Sequence, residues 1–269
     1  MNPLASMSIM IRGSDVATTL RAAGCVFAED EAHLLIEAAR DAEELNHLVE
    51  QRVSGRPLEH LLGWAEFCGK RMAVGPGVFV PRRRTEFLVR QAAMIAAPGA
   101  VVVDLCCGSG ALGAAVSDLL GTCTLHAADI DPAAVRCARR NVEPRGGTVH
   151  RGDLYAALPD ELMGRVDVLL ANAPYVPTES IGLMPPEARL HEPRAALDGG
   201  TDGLAVQRRV AQGAAQWLAP GGVLLVETSA AQAAETARLL IEAGLLATVV
   251  SDDGLDATVV LGSVRSISF

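Results

Sequence analysis

Aromatic residues are scarce: phenylalanine, tryptophan and tyrosine make up 3% of a chain that is half hydrophobic. A core built under that shortage is assembled from alanine, valine and leucine, the stock of helix-covered sheets. Basic charge is short too, with 23 lysines and arginines against 32 aspartates and glutamates and a formal net charge of -9. Phosphate backbones are bound by an excess of the opposite sign, so nucleic acid is not an expected partner. No uninterrupted apolar run has the length of a membrane-spanning helix, and no membrane association is expected. The opening MNPLASMSIMIRG lacks a basic start followed by a long apolar stretch, the pattern of an export signal. Cys25, Cys68, Cys106, Cys107, Cys123 and Cys137 contain no pair with the two-residue spacing of zinc and redox sites. Reduced thiols in a cytoplasmic protein, and no metal, are the expectation. No internal repeat or low-complexity segment is present, and the one basic run, Arg82-Arg83-Arg84, taken alone reads as a solvated surface cluster.

What is present fits one catalytic domain with a small appendage, given 269 residues. Leu20, Leu34, Leu35, Ile36, Leu45, Leu48 and Val49 recur in threes and fours among charges, which predicts a helical domain over 1–66. Gly69, Gly75 and Gly77 punctuate short runs at 71–74 and 78–80, suggesting a β-hairpin linker over 67–81. Beyond it, over 82–269, strand-like runs at 101–105, 124–128, 166–171 and 223–227 alternate with helical stretches at 111–120, 132–141, 204–218 and 231–243. Such alternation predicts an α/β fold with a Rossmann-like, mostly parallel sheet. A closing hairpin is expected from 246–251 and 258–262.

The run from Val101 to Gly110 reads as a buried strand entering a glycine turn at a helix start, with Asp104 inside the turn and Gly108 and Gly110 as its glycines. Asp129 ends the next strand, where an acid accepts hydrogen bonds from ribose hydroxyls. So far a nicotinamide dinucleotide fits as well as S-adenosylmethionine. Three details favour the latter. Cys106 replaces the first fingerprint glycine, Asp104 would repel a pyrophosphate yet welcome a cationic amino-acid group, and Asp153, after a short third strand, could accept from an adenine amino group. The plainer alternative for Asp153 is a helix N-cap.

Asn172-Ala173-Pro174-Tyr175 follows the strand-like run 166–171, at the carboxyl end where catalytic loops sit. The Asn172 side-chain oxygen and the Ala173 carbonyl can each accept one hydrogen of a planar NH2 group. Pro174 stiffens the loop, and Tyr175 offers an aromatic face to a cationic methyl donor or flat substrate. In isolation the same four residues would pass for an Asn-Pro turn.

Together with further motifs, they resemble the PrmC/HemK family of release factor glutamine methyltransferases, over roughly 52–232. The pattern continues in Arg52, Gly55, Pro57, Leu61, Gly63, Phe67 and Gly69, in Phe79-Val80-Pro81-Arg82 with Thr85-Glu86, and in Glu187, Glu192-Pro193-Arg194, Gly199-Gly200 and Asp202-Gly203-Leu204. The chain departs from the family at Ala173, where a proline is usual, at Arg83-Arg84, which replace proline and an acid, and at Cys106. The resemblance implies a class I S-adenosylmethionine methyltransferase with a small helical domain that docks its protein substrate, a peptide-chain release factor carrying a Gly-Gly-Gln motif. It further implies that Phe79, Arg82 and Thr85 fold over the cofactor beside Asp104, Gly108, Gly110, Asp129, Asp153 and Asn172, and that Asn172 to Tyr175 grip the substrate amide. The alternatives are a free amino acid, a guanidine or a nucleic-acid base amine as acceptor, or a non-catalytic protein that binds S-adenosylmethionine.

Overall fold

The computed structural model describes residues 13–264. The chain opening read above for an export signal, and the outer ends of the expected segments 1–66 and 82–269, lie outside the described residues. Helices α1 (Gly13–Ala22), α2 (Ala28–Ala38), α3 (Ala42–Val53) and the short α4 (Leu58–Leu62) come first. They enclose a small core of Val16, Leu20, Ala28, Leu35 and Leu45. Asp41 starts α3 by accepting from the Glu44 N–H at 2.8 Å, which satisfies one of the donors a helix start leaves open.

The hairpin that follows differs from the expected one. Its strands are β1 (Trp64–Phe67) and β2 (Lys70–Ala73), not 71–74 and 78–80. Cys68 and Gly69 have φ of 51° and 70°, the left-handed pair that a two-residue hairpin turn requires, and cysteine is a poor advertisement for that geometry. Residues 78–80 instead belong to an irregular strap whose Val80 N–H donates to the Glu192 side chain.

After α5 (Glu86–Ile95) the chain alternates through β3 (Val101–Leu105), α6 (Ala111–Leu120), β4 (Thr124–Asp129), α7 (Pro132–Val142), β5 (Thr148–Arg151) and β6 (Val166–Ala171). It continues through α8 (Pro186–His191), α9 (Ala205–Trp217), β7 (Leu218–Thr228), α10 (Ala233–Glu242), β8 (Leu246–Asp252) and β9 (Ala257–Ser263). The sheet order is β5-β4-β3-β6-β7-β9-β8, with β9 antiparallel to both of its neighbours and the other pairings parallel. Most sequence-predicted elements fall within a residue or two of their expected ends. Strand β7 starts earlier, at Leu218, because Leu218 pairs with Val166 before an irregularity in the register, and α8 was not foreseen.

Side chains alternate across the sheet as the pleat dictates. Val102, Val168, Leu170 and Leu225 meet α5, α6 and α7, while Val103, Leu169, Leu224 and Val226 meet α9 and α10. The chain runs outward from β3 to β5, then crosses back to place β6 on the other side of β3. That reversal opens a crevice at the carboxyl ends of β3 and β6, where open α/β sheets bind ligands. Among the described residues no helix is long and apolar enough to cross a membrane.

Asn141, near the end of α7, fastens the hairpin to this crevice. Its Oδ1 accepts from the Ala73 N–H, and its Nδ2 donates to the carbonyls of Ala73 and Ser109, all at 2.8 Å. Asn141→Ala removes three hydrogen bonds to backbone groups, of which the Ala73 carbonyl keeps only the weak Cys137 thiol donor, and is expected to lower the unfolding free energy by about 2–4 kcal/mol. Urea denaturation would measure it; a loss below about 0.5 kcal/mol would show that water replaces the amide freely.

Candidate active site

A cavity of about 240 Å³ lies in the crevice, walled by Phe79, Arg82 and Thr85 on one side and by Asn172, Ala173, Pro174 and Tyr175 on another. Asp104, Gly108, Asp129 and Asp153 complete the wall, so all but one of the sequence-predicted site residues are brought together. The exception is Gly110. A β-carbon there would sit 2.9 Å from Val142 and 3.0 Å from Ala138, so this glycine seats α6 against α7 and does not line the cavity.

Asp104 lies within β3, not in the turn after it. Its Oδ2 accepts from the Gly113 N–H at 2.9 Å, while its Oδ1 is buried without a partner. Burial is the main reason that its pKa is pushed up to about 7, with the nearby Asp129 adding to it. The turn that follows holds Cys106 in the left-handed region at φ 55°, a conformation that disfavours a side chain by roughly 1–2 kcal/mol.

Asp129 braces this turn from β4. One carboxylate oxygen accepts from the Gly108 N–H at 2.8 Å and the other from the Asp131 N–H at 2.9 Å. Each oxygen keeps a lone pair for a further donor. Burial raises its pKa, although these N–H groups oppose the shift. Asp153 accepts from Arg209 at 2.7 Å and makes no side-chain cap, so the N-cap alternative fails.

The strap over the cavity is tied down by a residue whose role the sequence did not reveal. Glu192 is buried, and its Oε1 accepts from Arg82 Nη2 at 2.6 Å and from the Val80 N–H at 3.2 Å. The Arg82 guanidinium in turn lies 4.9 Å over the Phe79 ring.

On the opposite wall, Asn172 Nδ2 donates to Thr85 Oγ1 at 3.2 Å, which leaves the Asn172 Oδ1 free to accept from a ligand. The Tyr175 hydroxyl donates to Glu227 Oε1 at 3.3 Å, and burial, reinforced by Glu227, pushes its pKa up to about 12. Its backbone carbonyl accepts from Gln232 Nε2 at 3.0 Å. Gly203 completes this clamp, because a β-carbon there would lie 2.5 Å from the same carbonyl. Glu227 and Gln232 were legible only as parts of a strand and a helix; an acid ending the apolar run Val223–Val226 was the one available signal.

The helical part joins the site through Arg52, whose guanidinium reaches Glu31 in α2 at 2.6 Å and Glu187 in α8 at 3.0 Å. Burial opposes the charge, but the two carboxylates hold the guanidinium pKa above its ordinary value.

The cavity fits S-adenosylmethionine. The partnerless oxygen of Asp104 suits an ammonium, the braced Asp129 suits vicinal hydroxyls, and the apolar walls of Phe79, Leu112 and Ala134 suit an adenosyl group.

Comparison with known proteins agrees with this geometry. Residues 72–201 match the family described as methyltransferase small domain. The release factor glutamine methyltransferase of Geobacter sulfurreducens is 37% identical over 216 residues, covering 79% of this chain and 75% of that protein. The 4-amino-L-phenylalanine/4-methylamino-L-phenylalanine methyltransferase of Streptomyces pristinaespiralis is 37% identical over 207 residues, covering 74% of this chain and 70% of that protein. Among solved structures, a methyltransferase from Pyrococcus furiosus is similar with a TM-score of 0.56 at 16% identity, over 73% of this chain and 90% of that one. A T. thermophilus 16S rRNA methyltransferase in complex with AdoMet and guanosine gives 0.53 at 20% identity, over 75% of this chain and 50% of that one. These two likenesses bear on the fold.

With its pKa near 7, Asp104 in the free protein keeps its proton in weakly acidic solution, whereas a bound ammonium favours the carboxylate. Cofactor affinity is therefore expected to be full above about pH 7 and to fall progressively below it, with proton release on binding near pH 6. Calorimetric titration with S-adenosylhomocysteine in two buffers of different ionisation enthalpy would show this. A flat affinity between about pH 6 and 8 would remove Asp104 from the ammonium site.

Proposed function

The chain belongs to the release factor glutamine methyltransferase family, PrmC/HemK, and from that premise we infer that it methylates the side-chain nitrogen of the glutamine in the Gly-Gly-Gln motif of a peptide-chain release factor. When bound, S-adenosylmethionine supplies the methyl group, activated by its positive sulfonium. The protein's task is to present an amide nitrogen whose lone pair is delocalised into its carbonyl. Hydrogen bonds from both amide protons to fixed acceptors favour the pyramidal nitrogen of the transition state. Asn172 Oδ1 and the Ala173 carbonyl are those acceptors.

The observation that carries this reading is the bond from Asn172 Nδ2 to Thr85, which turns the acceptor end of the Asn172 amide to the cavity. Alanine in place of the usual proline at 173 leaves the carbonyl available, and the loop is stiffened independently by the Gln232 and Gly203 clamp on Tyr175. Tyr175, neutral because its pKa is raised, contributes a ring face and no base. Enclosure by the strap lowers the local dielectric and strengthens these contacts.

The helical segment is assigned to docking the folded substrate, since among the described residues it supplies no wall of the cavity and it is tied to α8 through Arg52. Six free cysteines support the cytoplasm as the compartment. The relative that acts on 4-amino-L-phenylalanine supports a small amine as the competing acceptor. Labelled methyl transfer to a release factor, compared with free glutamine, arginine and 4-amino-L-phenylalanine, separates the two; transfer to the small molecules alone would overturn the protein substrate.

Asn172→Ala is expected to lower turnover by roughly a hundredfold with S-adenosylhomocysteine affinity nearly unchanged, as loss of a transition-state hydrogen bond does. Equal loss of both would make Asn172 structural. Arg52→Ala leaves the Glu31 and Glu187 carboxylates without their shared cation. It is expected to reduce kcat/KM for the folded release factor about tenfold or more while a short glutamine peptide is spared. Equal effects on both substrates would move docking to the catalytic domain.

A further inference from the structure

Among the described residues four carboxylates line the cavity: Asp104, Asp129, Asp131 and Asp153. Backbone N–H groups fix three of them, that of Gly113 for Asp104, those of Gly108 and Asp131 for Asp129, and that of Ala133 for Asp131. The Asp153 side chain is held differently, by Arg209, whose Nη2 donates to Oδ2 at 2.7 Å. Among the described residues this is the one ion pair with both members in the cavity wall. Arg82 and Arg84 line the cavity too, but their partners Glu192 and Glu227 do not.

Arg209 owes its place to helical spacing. Val206 and Arg209, three residues apart, share one face of α9 and both line the cavity, while Gln207 and Val210 are buried. Arg208, one position earlier, bonds instead to Asp202 outside the wall. The Arg209–Asp153 tie thus runs from α9 to the turn after β5, 56 positions back along the chain. With side chains 54% and 48% exposed, such a pair adds little to stability, so its effect is to be sought in the cavity it borders.

We propose that Arg209 is a positioning residue for the cofactor: by occupying Oδ2 it fixes the Asp153 carboxylate so that Oδ1 takes up the 6-amino group of adenine. This rests on Asp153 serving the adenine end of S-adenosylmethionine. A carboxylate bonded by nothing turns freely about its side chain, and ordering it when the ligand arrives costs entropy. Held at one oxygen, it presents the other in a set direction beforehand, and Oδ1 makes no hydrogen bond among the described residues.

The same arrangement reads the base. A carboxylate only accepts, so it favours an amino group at position 6 of the purine and opposes a keto oxygen there. Adenine carries the first and hypoxanthine the second, on rings of nearly the same size. An arginine that bonded to the base directly would have the opposite preference, because a guanidinium only donates. The choice between the two bases therefore reports which member of the pair faces the purine, and how firmly.

The test is calorimetric titration of the full chain, Arg209→Ala, Asp153→Ala and the double variant with S-adenosylhomocysteine and with its hypoxanthine analogue, S-inosylhomocysteine, at about pH 8, where Asp104 is ionised. The full chain is expected to favour the adenine ligand about tenfold or more. Arg209→Ala should weaken S-adenosylhomocysteine binding about threefold or more and shrink that preference, and Asp153→Ala should abolish it. Adding Arg209→Ala to Asp153→Ala should leave the ratio where it is, because Arg209 acts through Asp153. A ratio unchanged in Arg209→Ala, in a chain that does discriminate, would overturn the role of Arg209. So would a ratio that rises in Arg209→Ala or shifts further in the double variant, since either would mean that Arg209 meets the base without Asp153. A merely structural part for Arg209 lowers both affinities together and leaves their ratio alone. Equal affinity of the full chain for the two ligands would instead sink the placement of Asp153 at the adenine, a separate result.

Discussion

β3 and β6 are hydrogen-bonded neighbours from Val102 opposite Val168 to Leu105 opposite Ala171, yet the chain leaving β3 enters α6 on one face and the chain leaving β6 reaches α9 on the other. Two segments that part in this way cannot fill the space between them. The gap is the cavity, and the residues ending these strands face one another across it. Asp104 and the turn after β3 line one side, and Asn172 to Tyr175 line the other. Two opposed walls around one crevice therefore follow from strand order before any particular side chain is considered.

Buried acids hold the rest of the site in place. Asp104, Glu192 and Glu227 each keep one oxygen buried without a partner, and burial is the leading cause of the raised pKa of each. The two glutamates also account for most of the basic run. Arg82 pairs with Glu192, and Arg84, although exposed like Arg83, approaches Glu227, so the run is not merely the solvated cluster that its sequence suggests. The run is a pair of ties drawn from one short stretch to two distant acids.

The alternation of strands and helices, and the acids at strand ends, were legible because period and glycine turns are local signals. The segment Asn172 to Tyr175 stood out through the company of its other motifs, and it lines the cavity. The hairpin was misplaced because Cys68 takes a left-handed turn position usually given to glycine or asparagine. Gly110 looked like a ligand-facing glycine because sequence spacing does not distinguish approach to a ligand from approach to a helix. Glu192 and Gly203 were visible as signature residues without a task, since their tasks lie against the Val80 N–H and the Tyr175 carbonyl. Nothing local marked Asn141, whose three bonds all reach other elements.

These contacts join residues far apart along the chain: 87 positions separate Thr85 from Asn172, 112 separate Val80 from Glu192, and 135 separate Arg52 from Glu187. Closing such long loops is entropically unfavourable until both ends are packed, so the ties form late in folding. During synthesis the glycine turn and Asp129 emerge well before Glu192 and Glu227 exist to secure what lies over them. The nascent chain thus passes through a stage with half a crevice and no strap secured over it. The walls of the crevice are complete only when β7 has joined β6.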